Sequence, residues 1–202
     1  MPARIAPEHR RRQVIEAAFR LVIADGIESV SLRKVADESG MNIGSVRHYF
    51  DGHQDLLTAA AEEAGQRMGR RLAEHPVDAL RGLRGDPAVD ALQALVETVM
   101  PLDDARRAEA IIVIELIMAS RTRPVFRAMS QHMGADLSAV MRDALDALGL
   151  PDPDLAAAQL VAVIGGLTMD AVTPHGDLSA DRLREVLRAH LRLLLTPVNE
   201  GR

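Results

Sequence analysis

The stretch from Ser31 to Phe50, SLRKVADESG followed by MNIGSVRHYF, constrains the chain more than any other. Ser31 is placed to N-cap a short helix over Leu32 to Ser39, and Gly40 ends it where a left-handed backbone is needed. Asn42 caps the next helix, which runs through Phe50. Val35 and Ala36 form the inward face of the first helix, and Ile43 and Val46 that of the second. Two helices joined by a glycine turn at this spacing read as a helix-turn-helix.

The outward face of the second helix then carries Ser45, Arg47, His48 and Tyr49. Base edges in a major groove present donors and acceptors that Ser, Arg and His can meet, while Arg and Tyr also reach phosphates. Asn42 sits where helix N–H groups point at a phosphate.

The flanking sequence reads as helix throughout. Apolar residues recur from Glu8 to Asp25, and Gly26 stops the pattern. Asp51 with Gln54 predicts a capping box for a long helix to about Glu74. Breakers between residues 75 and 88 predict a loop, after which Pro87 opens a helix through Met100 and Pro101 stops it. Asp103 caps the following helix, whose centre, Ala110 to Met118, is apolar except for Glu115 and is expected to be buried nearly all round. Pro124 starts another helix ending near Gly149, Leu155 to Met169 is again apolar, and Ser179 caps the last one. No strand pattern emerges, so the fold class is all-α, about nine helices.

The string RRQVIEAAFRLVIADGIESVSLRKVADESGMNIGSVRHYFDGHQDLL resembles the TetR-type transcriptional repressors, with Phe19, Gly26, Ser31, Leu32, Val35, Ala36, Gly40, Gly44, Tyr49, Phe50 and Leu56 where that pattern expects them. The resemblance implies an N-terminal three-helix DNA-binding domain, residues 1–52, and a helical effector-binding and dimerisation domain, residues 53–202. It implies a homodimer paired through the last two helices, an inverted-repeat operator in double-stranded DNA, and release by a small-molecule effector. The DNA contacts it implies are Ser31, Arg33, Lys34, Asn42, Ser45, Arg47, His48, Tyr49 and His53. Arg47 stands where the family often has Tyr, and His53 where it has Lys near the start of the fourth helix. An imidazole is largely neutral at pH 7, which shifts phosphate anchoring toward Lys34, Tyr49 and the helix N-termini.

Composition agrees with a division of labour. The formal net charge is −5 over 202 residues, which disfavours indiscriminate coating of polyanions. Residues 1–50 nevertheless hold eight Lys/Arg against six Asp/Glu, while the remaining 152 hold 16 against 23. The Arg10–Arg12 run is either a phosphate contact or a solvated helix start. Absence of cysteine excludes disulfides and thiolate chemistry, and no cofactor is expected. The start, MPARIAPEHRRR, has charges where a signal peptide needs an apolar core, and the expected location is cytoplasmic.

For the effector, the expected pocket wall is Met100, Glu115, Met118, Met129, His132, Met133 and Met169. Methionine suits adaptable pockets, although at helical spacing it is more often core. Glu115 either pairs with Arg121 or Arg123 or faces a cationic ligand; VRHYF is similar to the string in choline-responsive members of the family. In the final helix pair, Ala156, Ala157, Ala158, Ala162, Gly165 and Gly166 allow close approach. The stripe Leu183, Val186, Leu187, His190, Leu191 and Leu194 is expected to meet a second subunit or, alternatively, to fold onto its own domain. An enzyme has no visible site here: no His-x-x-x-His pair on a helix, no phosphate loop and no Gly-x-Ser-x-Gly elbow. A helical carrier or interaction module that has lost DNA binding is the remaining alternative.

Overall fold

The computed structural model describes residues 7–196. Residues 1–6, the first half of the charged start MPARIAPEHRRR, lie outside them. Among the described residues there are nine α-helices and three short 3-10 turns, and no strand. The helices are α1 (Pro7–Asp25), α2 (Leu32–Ser39), α3 (Ile43–Tyr49), α4 (His53–Ala73), α5 (Gly85–Glu97), α6 (Asp104–Ser120), α7 (Arg127–Ala147), α8 (Pro153–Val172) and α9 (Ala180–Leu194). They divide into two compact units, one ending at Arg67 but including Ala108–Gln131, the other made of Met68–Arg107 and the residues from His132 onward.

In the first unit, Val14, Ala18, Val35, Val46, Leu56, Leu57 and Ala60 are wholly buried, joined by Ile112 and Phe126 from the later segment. Ion pairs tie this core's rim. Arg20 Nε reaches Glu38 at 2.5 Å, joining α1 to α2. Arg67 pairs with Glu16 and, at 2.9 Å, with Glu63, and its guanidinium lies 5.1 Å from the Phe19 ring centroid.

The second unit packs Leu92, Leu95, Val96, Met100, Met141, Leu145, Leu160, Leu183, Leu187 and Leu191. The ends of α5, α7 and α8 lack basic residues in their last turns, and arginines from elsewhere in the unit donate to the carbonyls there. Arg71 donates to the Thr98 carbonyl at 2.9 Å, Arg106 to that of Glu97 at 2.8 Å, Arg84 to that of Leu148 at 2.8 Å, and Arg107 to that of Ala171. Each bonds a carbonyl at or next to a helix end, that of Glu97 shared with the Met100 N–H.

Several expectations change. The capping box at α4 is shifted by one residue: the backbone N–H of Asp51 donates to Asp55 Oδ2 at 3.1 Å, and not to Gln54. The helix expected over Pro87 to Met100 spans Gly85–Glu97, because the Thr98 hydroxyl turns back onto the Leu95 carbonyl at 2.7 Å. Pro124 opens a 3-10 turn, Pro124–Phe126, before α7 begins. The centre of α6 is not buried all round, since Ile117 and Met118 are 42% and 48% exposed.

The stripe on α9 does not wait for a second subunit. Leu183, Leu187 and Leu191 are wholly buried against this chain's own α5 and α8. The exposed apolar surface lies elsewhere: Leu155, Ala158, Ala162, Gly165 and Gly166 are exposed on α8, and Leu193 on α9 is 77% exposed. By length and composition α8 could cross a bilayer, with mean hydropathy 1.7, yet its Ala156, Ala157, Leu160, Ile164, Leu167 and Ala171 face the second unit's core.

Candidate nucleic-acid interface

The helix-turn-helix is built as its local chemistry requires. Ser31 Oγ accepts the Lys34 N–H at 3.2 Å, starting α2. Gly40 adopts φ 69°, ψ 21°, a left-handed conformation that a side chain disfavours, and the Met41 N–H closes the turn on the Ala36 carbonyl at 3.0 Å. Asn42 Oδ1 then accepts the Ser45 N–H at 2.8 Å, starting α3. Val46 and Phe50 anchor α3 in the core.

Beside α3 lies an open groove of about 960 Å³, lined by Ile27, Glu28, Val30, Ser31, Leu32, Arg33, Ala36, Asp37, Met41, Asn42, Ile43, Arg47 and His53. It gathers Ser31, Arg33, Asn42, Arg47 and His53 of the expected DNA contacts onto one concavity. Lys34 and His48 are exposed outside its lining, while Ser45 and Tyr49 are half-buried. The His48 and Tyr49 rings meet edge to face, 5.2 Å apart at an interplanar angle of 71°. Ile43, expected to face inward, is instead 37% exposed and lines the groove; a seven-residue helix turned by Val46 and Phe50 leaves it at the rim.

Three features were not legible in the sequence. Glu28 and Asp37 place carboxylates in the groove lining. Arg123 pairs with Glu28, and Glu115 Oε2 accepts the backbone N–H of Ile27 at 3.4 Å. Of the two arginines expected as partners for Glu115, Arg123 is turned to Glu28 instead, and Glu115 accepts the first N–H of the Ile27–Ser29 turn. No local pattern signals a contact across 95 positions, the separation of Arg123 from Glu28.

The other expected effector residues are divided between the units. Glu115, Met118 and Met129 belong to the first, and Met100, His132, Met133 and Met169 to the second. Met100 is fully buried, with the Thr168 hydroxyl 3.9 Å from its sulfur, whereas His132 is exposed and Met129, Met133 and Met169 are half-buried. A cavity of about 340 Å³ in the second unit is lined by Pro76, Val77, Asp78, Arg81, Asp143 and Asp146, none of that set. Among the described residues no group of three or more His, Cys, Asp or Glu is placed to hold a metal ion.

Residues 14–60 match the family described as bacterial regulatory proteins, tetR family, and residues 88–196 match the BetI-type transcriptional repressor, C-terminal. The chain belongs to the TetR family. The HTH-type transcriptional regulator PksA of Bacillus subtilis is 27% identical to this TetR-family chain over 194 residues, covering 95% of it and 92% of PksA. The crystal structure of a transcriptional regulator from Rhodococcus sp. Rha1 superposes with a TM-score of 0.80 at 27% identity, covering 95% of this chain and 96% of the other. The multidrug binding protein EbrR, crystallised with imidazole, gives a TM-score of 0.67 at 28% identity, covering 95% and 98%. EbrR is also solved with malachite green and with ethidium. As a TetR-family member the chain is a DNA-binding transcriptional regulator and not an enzyme.

Proposed function

We propose that the chain represses transcription as a homodimer on an inverted-repeat operator and is released by a small organic effector. The single observation that carries the DNA contacts is the groove beside α3, where Ser31, Arg33, Asn42, Arg47 and His53 share one concavity. Arg47 and His48, exposed on α3, read base edges; Ser31, Lys34 and Tyr49 hold phosphates. Residues 1–52 supply this reading function, and residues 53–202 supply effector binding and dimerisation. The exposed small-residue face of α8, with Leu155 and Leu193, supports pairing through the last two helices. A two-fold pair presents two copies of α3 to one face of the duplex, which calls for an inverted repeat.

Release requires an effector with unequal affinity for the DNA-competent and DNA-incompetent conformations, since equal affinity shifts no population. Organic cations are the first class to screen, because EbrR is solved with ethidium and malachite green. Glu115, Met118, Met129, His132, Met133 and Met169 are the residues to probe, with Met100 reached only where the core opens.

The test is selection of duplexes from random-sequence DNA by the wild-type chain, followed by binding at defined salt. Enriched sequences should share two half-sites in inverted orientation. Enrichment of a single unpaired site overturns the dimeric reading. A thermal-shift screen should then yield a compound that both stabilises the protein and lowers its affinity for the selected duplex; stabilisers that leave that affinity unchanged count against effector release.

A further inference from the structure

We propose that Arg123 is a positioning residue for DNA binding, acting through Glu28: the ion pair holds a carboxylate's charge away from the groove that faces DNA. The inference rests on the reading of that groove as the DNA face. Glu28 lines the groove with Ser31, Arg33, Asn42 and Arg47, and its side chain is 75% exposed. A bare carboxylate there would repel phosphates within a Debye length, about 8 Å at physiological salt. Arg123 contacts that carboxylate directly, and the closely opposed charges largely cancel at longer range.

Both partners are held in place before DNA arrives. The Arg123 side chain is only 25% exposed, its backbone N–H donates to the Ala119 carbonyl at 2.8 Å, and the next turn is pinned by the fully buried Phe126. Glu28 lies in the Ile27–Ser29 turn, whose first N–H is taken by Glu115 and whose Ser29 hydroxyl donates to the Gly26 carbonyl at 2.7 Å. The residues between Ala108 and Gln131 thus contact two consecutive positions of the groove wall, Ile27 through Glu115 and Glu28 through Arg123. Such preorganisation lowers the entropy that an exposed pair would lose on forming.

The experiment measures binding to the duplex selected from random-sequence DNA by the wild-type chain, using fluorescence anisotropy. Arg123→Gln should weaken binding about three- to fivefold at about 50 mM salt, and the loss should shrink to under about twofold at about 300 mM. Adding Glu28→Gln to that variant should restore affinity to within about twofold of wild type, and Arg123→Lys should stay near wild type. A merely structural role would give a loss that persists at high salt and is not rescued by removing the carboxylate. The proposal is overturned if the double variant binds as weakly as Arg123→Gln, or if Arg123→Gln binds as wild type while Arg47→Ala and Ser31→Ala are weakened. If those two groove variants bind as wild type, the groove is not the DNA face, and that reading falls with this one.

Discussion

The guanidinium of Arg11 lies 5.2 Å from the centroid of the Phe50 ring, so the first turns of α1 are stacked on the residue that closes α3. Phe50 is 1% exposed, and the exposed Arg11 forms part of its cover. A cation over an aromatic face at an exposed site contributes about 0.5–1 kcal/mol. Arg11→Gln should lower unfolding free energy by about that amount in denaturant titrations, while Arg10→Gln leaves it unchanged. Equal effects from the two substitutions would show that the stack does not stabilise the protein.

Arg47 is exposed on α3 and lines the groove. Arg47→Ala should weaken binding to the selected duplex by about 1–3 kcal/mol and relax base preference at one position in each half-site, the signature of a base contact. A loss uniform across sequences, with a shallower salt dependence, would assign Arg47 to a phosphate instead.

Leu191 and Leu155 separate folding from assembly. Leu191 is wholly buried in the second unit's core, so Leu191→Asp should cost more than about 3 kcal/mol and melt that unit cooperatively. Leu155 is 56% exposed on α8, and Leu155→Asp should keep the melting temperature of isolated chains and yield monomers in analytical ultracentrifugation. A dimer unchanged by Leu155→Asp would place the two-fold contact on a different surface.

These two leucines also show what could be read from sequence. Periodicity correctly gave α9 an apolar stripe, but the stripe does not name its cover, and α5 and α8 of the same chain provide it. The helix-turn-helix was legible almost to the residue because its determinants are local: a capping serine, a left-handed glycine and a capping asparagine act within three or four positions. The groove's carboxylate partner was not, because Arg123 and Glu28 meet only through the tertiary fold. The inclusion of Ala108–Gln131 in the first unit was hidden for the same reason: Ile112, Leu116 and Phe126 look like any helical core until their neighbours are known.

His190 sets a pH dependence. Burial lowers its imidazole below the ordinary value of 6.5, and Nε2 is buried without a hydrogen-bond partner. Between the lowered folded value and 6.5 the unfolded chain binds more protons, so the stabilisation present above 6.5 is lost as pH falls through the folded value. The melting temperature should drop as pH falls below 6.5, with a shallower drop in His190→Leu. Parallel profiles for the two proteins would assign the pH dependence to other groups.

Folding asks little of α3. Of Ile43–Tyr49 only Val46 is fully buried, with Gly40 and Phe50 fixing the approach and exit of the chain. Positions 43, 47 and 48 are exposed, and 45 and 49 only partly covered. On the proposed reading of the groove, α3 is an interchangeable cartridge, and point changes at those sites would retarget the chain to a new DNA word while its scaffold stays intact. The vocabulary of the protein can drift faster than its architecture.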